Sequence, residues 1–233
     1  MKKFWFMLTA LVATCFLVAC RGSQGVSTIK ENKKIVVATE SEFAPFEFKS
    51  LVNGKDTLVG ADIELAKAIG KKLGVKVEFS VMSFDNVLAS VQSGKADIAI
   101  AGISVTDERK KVYDFSDSYY TSENVVIVKK DKVNDFTSAD SLAKQTVGTQ
   151  KGSVQETVAK KQFSKASVVS LASNGEMINE LKSGQIQAVV LEKAIAEGYI
   201  AQNDDLTLAS FNLKSDGSDA YAVAIRKGSD DLL

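Results

Sequence analysis

The chain has 233 residues, with 29 basic and 29 acidic side chains and no histidine. This balance gives no sign of the basic face that a nucleic acid requires, so no nucleic-acid partner is expected. Absence of histidine removes His triads, His bases and His metal ligands, and both cysteines, Cys15 and Cys20, fall in the N-terminal leader, leaving no disulfide or Cys zinc site beyond it. Chemistry must rest on arginine, carboxylates, hydroxyls and aromatic rings, with no cofactor or metal.

The chain starts with Met1-Lys2-Lys3 and an apolar run over residues 4–19. A positive start and an apolar core too short for a comfortable membrane span read as a signal peptide. Leu17-Val18-Ala19-Cys20 closes the run and resembles the bacterial lipobox. The resemblance implies a leader over residues 1–20 and a lipid-modified Cys20 that anchors the mature chain to the membrane. Residues 21–33 are polar and Gly/Ser-rich, so a flexible tether is expected there.

Residues 35–38 form a short β-branched run, expected as the first strand. The segment 39–48 follows, with three phenylalanines around Pro45, the single proline, which breaks helices and stiffens a turn. Gly60 opens an amphipathic helix that runs to Leu73 and stops at Gly74, a C-cap. A strand over 75–81, a helix over 86–92 and a buried strand over 97–101 come next. Alternation of this length argues for parallel β-α-β units, whose ligands lie beyond the carboxyl ends of the strands. After the last of these strands, Gly102 breaks the run, and Asp107-Glu108 favour a helix's first turn with Arg109 just inside it. Such a strand-loop-helix junction gathers backbone N–H groups into an anion site, and the planar fork of Arg109 suits a carboxylate.

The pattern restarts at Asn124. Residues 125–128 are an apolar run suited to an interdomain crossing, and 129–143 a polar connection. Val147-Gly148-Thr149 begins a second α/β unit, and the backbone of Lys151-Gly152-Ser153 is placed to receive an anion ahead of the next helix. Met177, Ile178 and Leu181 mark a helix ending at Ser183-Gly184, before a buried strand over 188–191 that Glu192 terminates. Ser93-Gly94-x-x-Asp97 and Ser183-Gly184-x-x-Gln187 stand in matching places. Residues 220–225 carry the chain back towards the first unit.

Gly102-Ile103-Ser104-Val105-Thr106-Asp107-Glu108-Arg109-Lys110-Lys111, then Asp114-Phe115-Ser116-Asp117 and Tyr119-Tyr120, resemble the family 3 extracellular solute-binding proteins, the polar amino acid receptors of ABC importers. The resemblance runs from about Lys34 to the end of the chain. It implies a two-lobe periplasmic-binding-protein-like α/β clamshell of type II, with a first lobe over 34–123, a second over 124–217 and a return over 218–233. Relatives continue with further helices, so the C-terminal helices are expected to be missing here.

The same resemblance implies the ligand residues. Arg109 and the Ser104 N–H would hold an amino acid's carboxylate, while Glu192, the Gly102 carbonyl and the Ser104 hydroxyl would hold its ammonium. Phe43 would pack the side chain and Glu40 would read its far end, and Gly152, from the backbone reading above, is the further ligand-binding residue expected. Glu40 leans towards a basic or amide amino acid. The chain departs from the family at Ala61, where an aromatic wall is usual, at Val154, where a hydroxyl is frequent, and at Gln187, where Asp is usual. The implied protein is a monomeric, lipid-anchored, non-enzymatic subunit working with a permease and an ATPase. The alternatives are a ligand-sensing receptor domain and an enzyme on the same fold. The missing nucleophile–base pair argues against an enzyme.

Overall fold

The computed structural model describes residues 25–215, 217 and 220–233. Cys20 and the leader lie outside the described residues. Two five-stranded sheets organise the chain. The first has the order Lys76–Val81, Lys34–Thr39, Ile98–Ala99, Ala224–Arg226, Tyr113–Phe115, and the second the order Ser167–Leu171, Thr146–Gln150, Ala188–Glu192, Asn124–Lys129, Leu206–Leu208. In each, the first three strands are parallel and the last two join antiparallel. The parallel part is what short apolar strands linked by helices demand.

The helices are α1 (Val26–Asn32), α2 (Ala61–Leu73), α3 (Phe84–Gln92), α4 (Asp107–Lys110), α5 (Val154–Gln162), α6 (Asn174–Ser183) and α7 (Lys193–Ala201). Apolar faces spaced for a helix period cover both sides of each sheet. In the first lobe Val87 and Val91 of α3 pack on Ala38 and Ala99, while Ala66 of α2 packs with Ile35, Val37 and Ile98 on the other side. In the second, Met177, Ile178 and Leu181 of α6 meet Val189 and Leu191, and Ala159 of α5 meets Val147 and Val190. The expected C-cap is present: Gly74 takes φ 72 and its N–H returns to the end of α2.

Several expectations are corrected. Within the 21–33 tether, residues 26–32 are a helix, because Ile29 finds an apolar site with Ile35, Ile69 and Leu232 and is 1% exposed. The run 125–128 is not an interdomain crossing. It lies inside the second sheet, between Ala188–Glu192 and Leu206–Leu208. The strands between the lobes are instead Tyr120–Thr121 and Ala220–Tyr221, which pair as a two-strand ribbon. The segment around Pro45 is more ordered than a turn, since Glu42–Phe43, Glu47–Val52 and Lys55–Val59 form a three-stranded antiparallel sheet. Among the described residues no helix is long and apolar enough to cross a membrane.

Candidate functional site

The parallel strands of both sheets point their carboxyl ends at the space between the lobes, and residues at or just past those ends meet there. Glu40 follows Lys34–Thr39 and is 5% exposed. Its Oε2 accepts from Gln150 Nε2 of the second lobe at 2.8 Å, while Oε1 is buried with no donor among the described residues. Burial pushes its pKa up to about 7, against the pull of Gln150 and with the push of Glu42 and Glu192. Glu192 closes Ala188–Glu192 from the opposite lobe and is also 5% exposed. Burial carries it to about 7 as well, although Gln155, Tyr221 and Arg109 pull it down. Two carboxyl groups that sit poised between charged and neutral mark this cleft electrostatically.

Arg109 is the cation whose charge Glu192 feels. Thr106 caps α4 by accepting the Arg109 N–H at 3.1 Å, which sets the side chain on the cleft side. Nη1 donates to the Ser104 carbonyl at 2.8 Å and Nη2 crosses to the Gly152 carbonyl at 3.1 Å. The guanidinium carbon lies 5.7 Å from the centre of the Phe84 ring, a cation–π distance. Burial lowers the group to about 10, with Glu192 holding it up, so it stays charged at neutral pH.

Gly102 has φ 53, and its N–H donates to Asp62 Oδ2 at 3.0 Å. A Cβ there would come within 2.5 Å of the Phe43 ring, so the position demands glycine twice over. Phe43 itself is 5% exposed and packs 6.0 Å from Phe46 and 6.3 Å from Tyr221. Phe43, expected to pack the ligand's side chain, thus also packs against Phe46. Both rings belong to one cluster with α6, and Phe43 turns an edge to Gly102. Ser104 is buried beside Tyr221, with which it forms an isolated antiparallel bridge.

Gly152 lines the groove beside Arg109 with its backbone already engaged. Its N–H is taken by Glu156 Oε2 at 2.9 Å, so the anion at the start of α5 is the chain's own carboxylate. Its carbonyl serves Arg109 instead. Next to it, Ser153 accepts the Glu156 N–H at 3.2 Å and donates to the Gln150 carbonyl at 2.7 Å.

Residues without a sequence signal complete the closure. Asp85 and Lys151 pair at 2.9 Å across the lobes, and the Glu42 carboxylate accepts the Gly175 N–H at the start of α6 at 3.0 Å. Tyr199 O–H donates to the Glu42 carbonyl at 3.2 Å. With the Glu40–Gln150 and Arg109–Gly152 bonds, these contacts hold the two lobes shut. A groove of about 600 Å³ between α4 and α5 reaches Arg109, Gly152 and Ser153 from outside. Glu40, Phe43 and Glu192 lie deeper and do not line it. Ala61 is exposed at the start of α2.

The family described as bacterial extracellular solute-binding proteins, family 3, matches residues 35–233. The arginine-binding extracellular protein ArtP of Bacillus subtilis is 35% identical over 235 residues, covering 99% of this chain and 88% of that protein. A crystal structure of the amino acid ABC transporter substrate-binding protein AbpA from Streptococcus pneumoniae, bound to L-arginine, is 53% identical with a TM-score of 0.86, over 88% of this chain and 86% of that one. The ancestral amino acid-binding protein AncCDT-1, a precursor of cyclohexadienyl dehydratase, is 34% identical with a TM-score of 0.80, over 89% and 88% of the two chains. This chain therefore belongs to the family 3 bacterial extracellular solute-binding proteins.

Proposed function

We propose that this protein captures a free L-amino acid with a cationic side chain between its lobes and hands it to an ABC importer, as a binding protein and not an enzyme. The observation that carries the reading is the charge order of the cleft. Arg109 and Glu192, from opposite lobes, feel each other's charge, and Glu40 is buried within electrostatic reach of Glu192. A basic amino acid offers the complementary set: carboxylate to Arg109, α-ammonium to Glu192, side-chain cation to Glu40. Each buried charge then finds a partner, without which burial would be unfavourable.

In this arrangement the Gly102 carbonyl and the Ser104 hydroxyl add acceptors for the ammonium, Phe43 supplies the apolar floor, and Gly152 shares Arg109 with the ligand. A guanidinium has five donors and two are engaged here, so its fork retains N–H groups for a carboxylate. The arginine in the names of similar proteins supports the class of ligand. Ligand contacts drawn from both lobes favour the shut form, a hinge transition. The membrane link is lipid on Cys20, and a monomer suffices for the function.

A thermal-shift panel of the free amino acids tests the reading. Saturating L-arginine at about 100 times Kd should add roughly 2.7 kcal/mol of stability. No response to any amino acid, or a stronger response to acidic than to basic ones, would overturn it. For the anchor, Cys20→Ser should abolish incorporation of labelled lipid, and normal labelling would reject the lipid site.

A further inference from the structure

Behind the cleft lies a carboxyl pair that the binding scheme does not use. Glu47 opens the strand Glu47–Val52 and Asp62 sits in the first turn of α2, with 0% and 1% exposure. Neither oxygen of Glu47 has a hydrogen-bond donor among the described residues, and its carboxyl lies against that of Asp62. Asp62 differs. Its Oδ2 accepts from the Gly102 N–H at 3.0 Å and the Tyr119 O–H at 2.9 Å, and only Oδ1 is left over. The charged groups acting on Glu47 are Asp62, Glu40 and Glu192, and the phenols of Tyr119 and Tyr221 also feel it.

Two carboxylates cannot both stay ionised when they touch in a dry site. The donors divide them: Gly102 and Tyr119 favour a charged Asp62, and nothing favours a charged Glu47. We infer that Glu47 and Asp62 share one proton, carried by Glu47 and donated to Asp62, and that this pair positions the Gly102 peptide for the ligand's ammonium. With its free oxygen satisfied by Glu47, Asp62 holds the Gly102 N–H. Gly102, at φ 53 against Phe43, then has its carbonyl fixed. Burial raises both acids, while Gly102 and Tyr119 draw Asp62 back, so the proton belongs on Glu47. Glu47 is thus a positioning residue that touches no ligand, and this role rests on the proposed part of the Gly102 carbonyl.

The full chain with L-arginine as probe tests it. Glu47→Leu keeps an apolar volume but gives Asp62 no donor, and should weaken binding by about tenfold. Glu47→Gln restores an N–H donor and should recover most of that loss. The ratio of wild-type to Glu47→Gln affinity should fall at alkaline pH, and taking the ratio cancels the ligand's own titration. Without ligand, the infrared difference between wild type and Glu47→Gln at neutral pH should show one protonated carboxyl. Absence of that band, or wild-type affinity in a folded Glu47→Leu, would overturn the inference. If Glu47→Leu fails to fold, the band and the Glu47→Gln pH ratio decide. If the wild type binds no amino acid, the functional reading and the positioning role fall together, and the band still judges the shared proton.

Discussion

In the first lobe Asp97 accepts the Val36 N–H at 2.7 Å, and in the second Gln187 accepts the Thr146 N–H at 3.0 Å. Both side chains lie three residues past a left-handed glycine, Gly94 or Gly184, and both tie the start of the third parallel strand to the middle one. Construction is thus repeated, and an amide replaces a carboxylate with no change of task. What each lobe sends into the cleft is not repeated. The first supplies Arg109 and buries Glu40, Glu47 and Asp62. The second answers with Gln150, the Gly152 carbonyl and Glu192. The repeated part is backbone pairing, which many sequences satisfy, whereas the difference sits in side chains at or near the strand ends, whose identity the backbone ladder does not specify.

The largest break in that division of labour should come from Arg109→Ala, which removes the first lobe's cation. Loss of one partner from a buried charge pair costs about 2–5 kcal/mol. That is roughly 30- to 4,000-fold in affinity for L-arginine by calorimetry. Arg109→Lys should restore only part of it, because a point charge lacks the fork that spans Ser104 and Gly152.

Next in size is a pH effect on the ligand-free protein. Glu40 and Glu192 both rise from 4.5 to about 7 through burial. An acid with a raised folded pKa keeps its proton better when folded. Its contribution is therefore fully present below pH 4.5 and is lost as pH climbs through about 7. Glu40→Gln should flatten that loss and make the free protein about 1–3 kcal/mol more stable at pH 8, while weakening L-arginine. Denaturant titrations at pH 5 and pH 8 check both signs, and equal slopes with pH in mutant and wild type would remove Glu40 from the account.

Gly102→Ala should cost about 1–2 kcal/mol from the left-handed backbone, and more if the Phe43 ring cannot shift. Its melting temperature and arginine affinity should fall together. The smallest effect belongs to Lys151→Ala. The Asp85–Lys151 pair crosses the lobes, but the Lys151 side chain is 62% exposed. Its loss should change affinity by about 1 kcal/mol or less, vanishing at high salt. A large effect would mean that this outer pair, and not the buried charges, holds the lobes shut.

Much of this was legible in the sequence. Apolar runs such as 35–38 and 188–191 and glycine stops at Gly74 and Gly184 announce strands and helix ends, because burial and capping act over a few residues. The loop 102–109 carried its own identity, and Glu40, Arg109 and Glu192 could be named from motif matches.

Tertiary structure decided what those residues touch. Helix α1 exists because Ile29 meets a distant apolar site, and the run 125–128 is a strand of the second sheet because it pairs with residues 188–192. Gly152 gives its N–H to Glu156 and its carbonyl to Arg109, a choice set by a side chain four positions on and another in the opposite lobe. Phe84 beneath Arg109, the Gln150 contact to Glu40 and the pairing of Glu47 with Asp62 join residues far apart in the chain. Local periodicity reports which face of an element avoids water. It carries no record of which buried carboxyl will find a donor, because that depends on partners brought by another part of the fold.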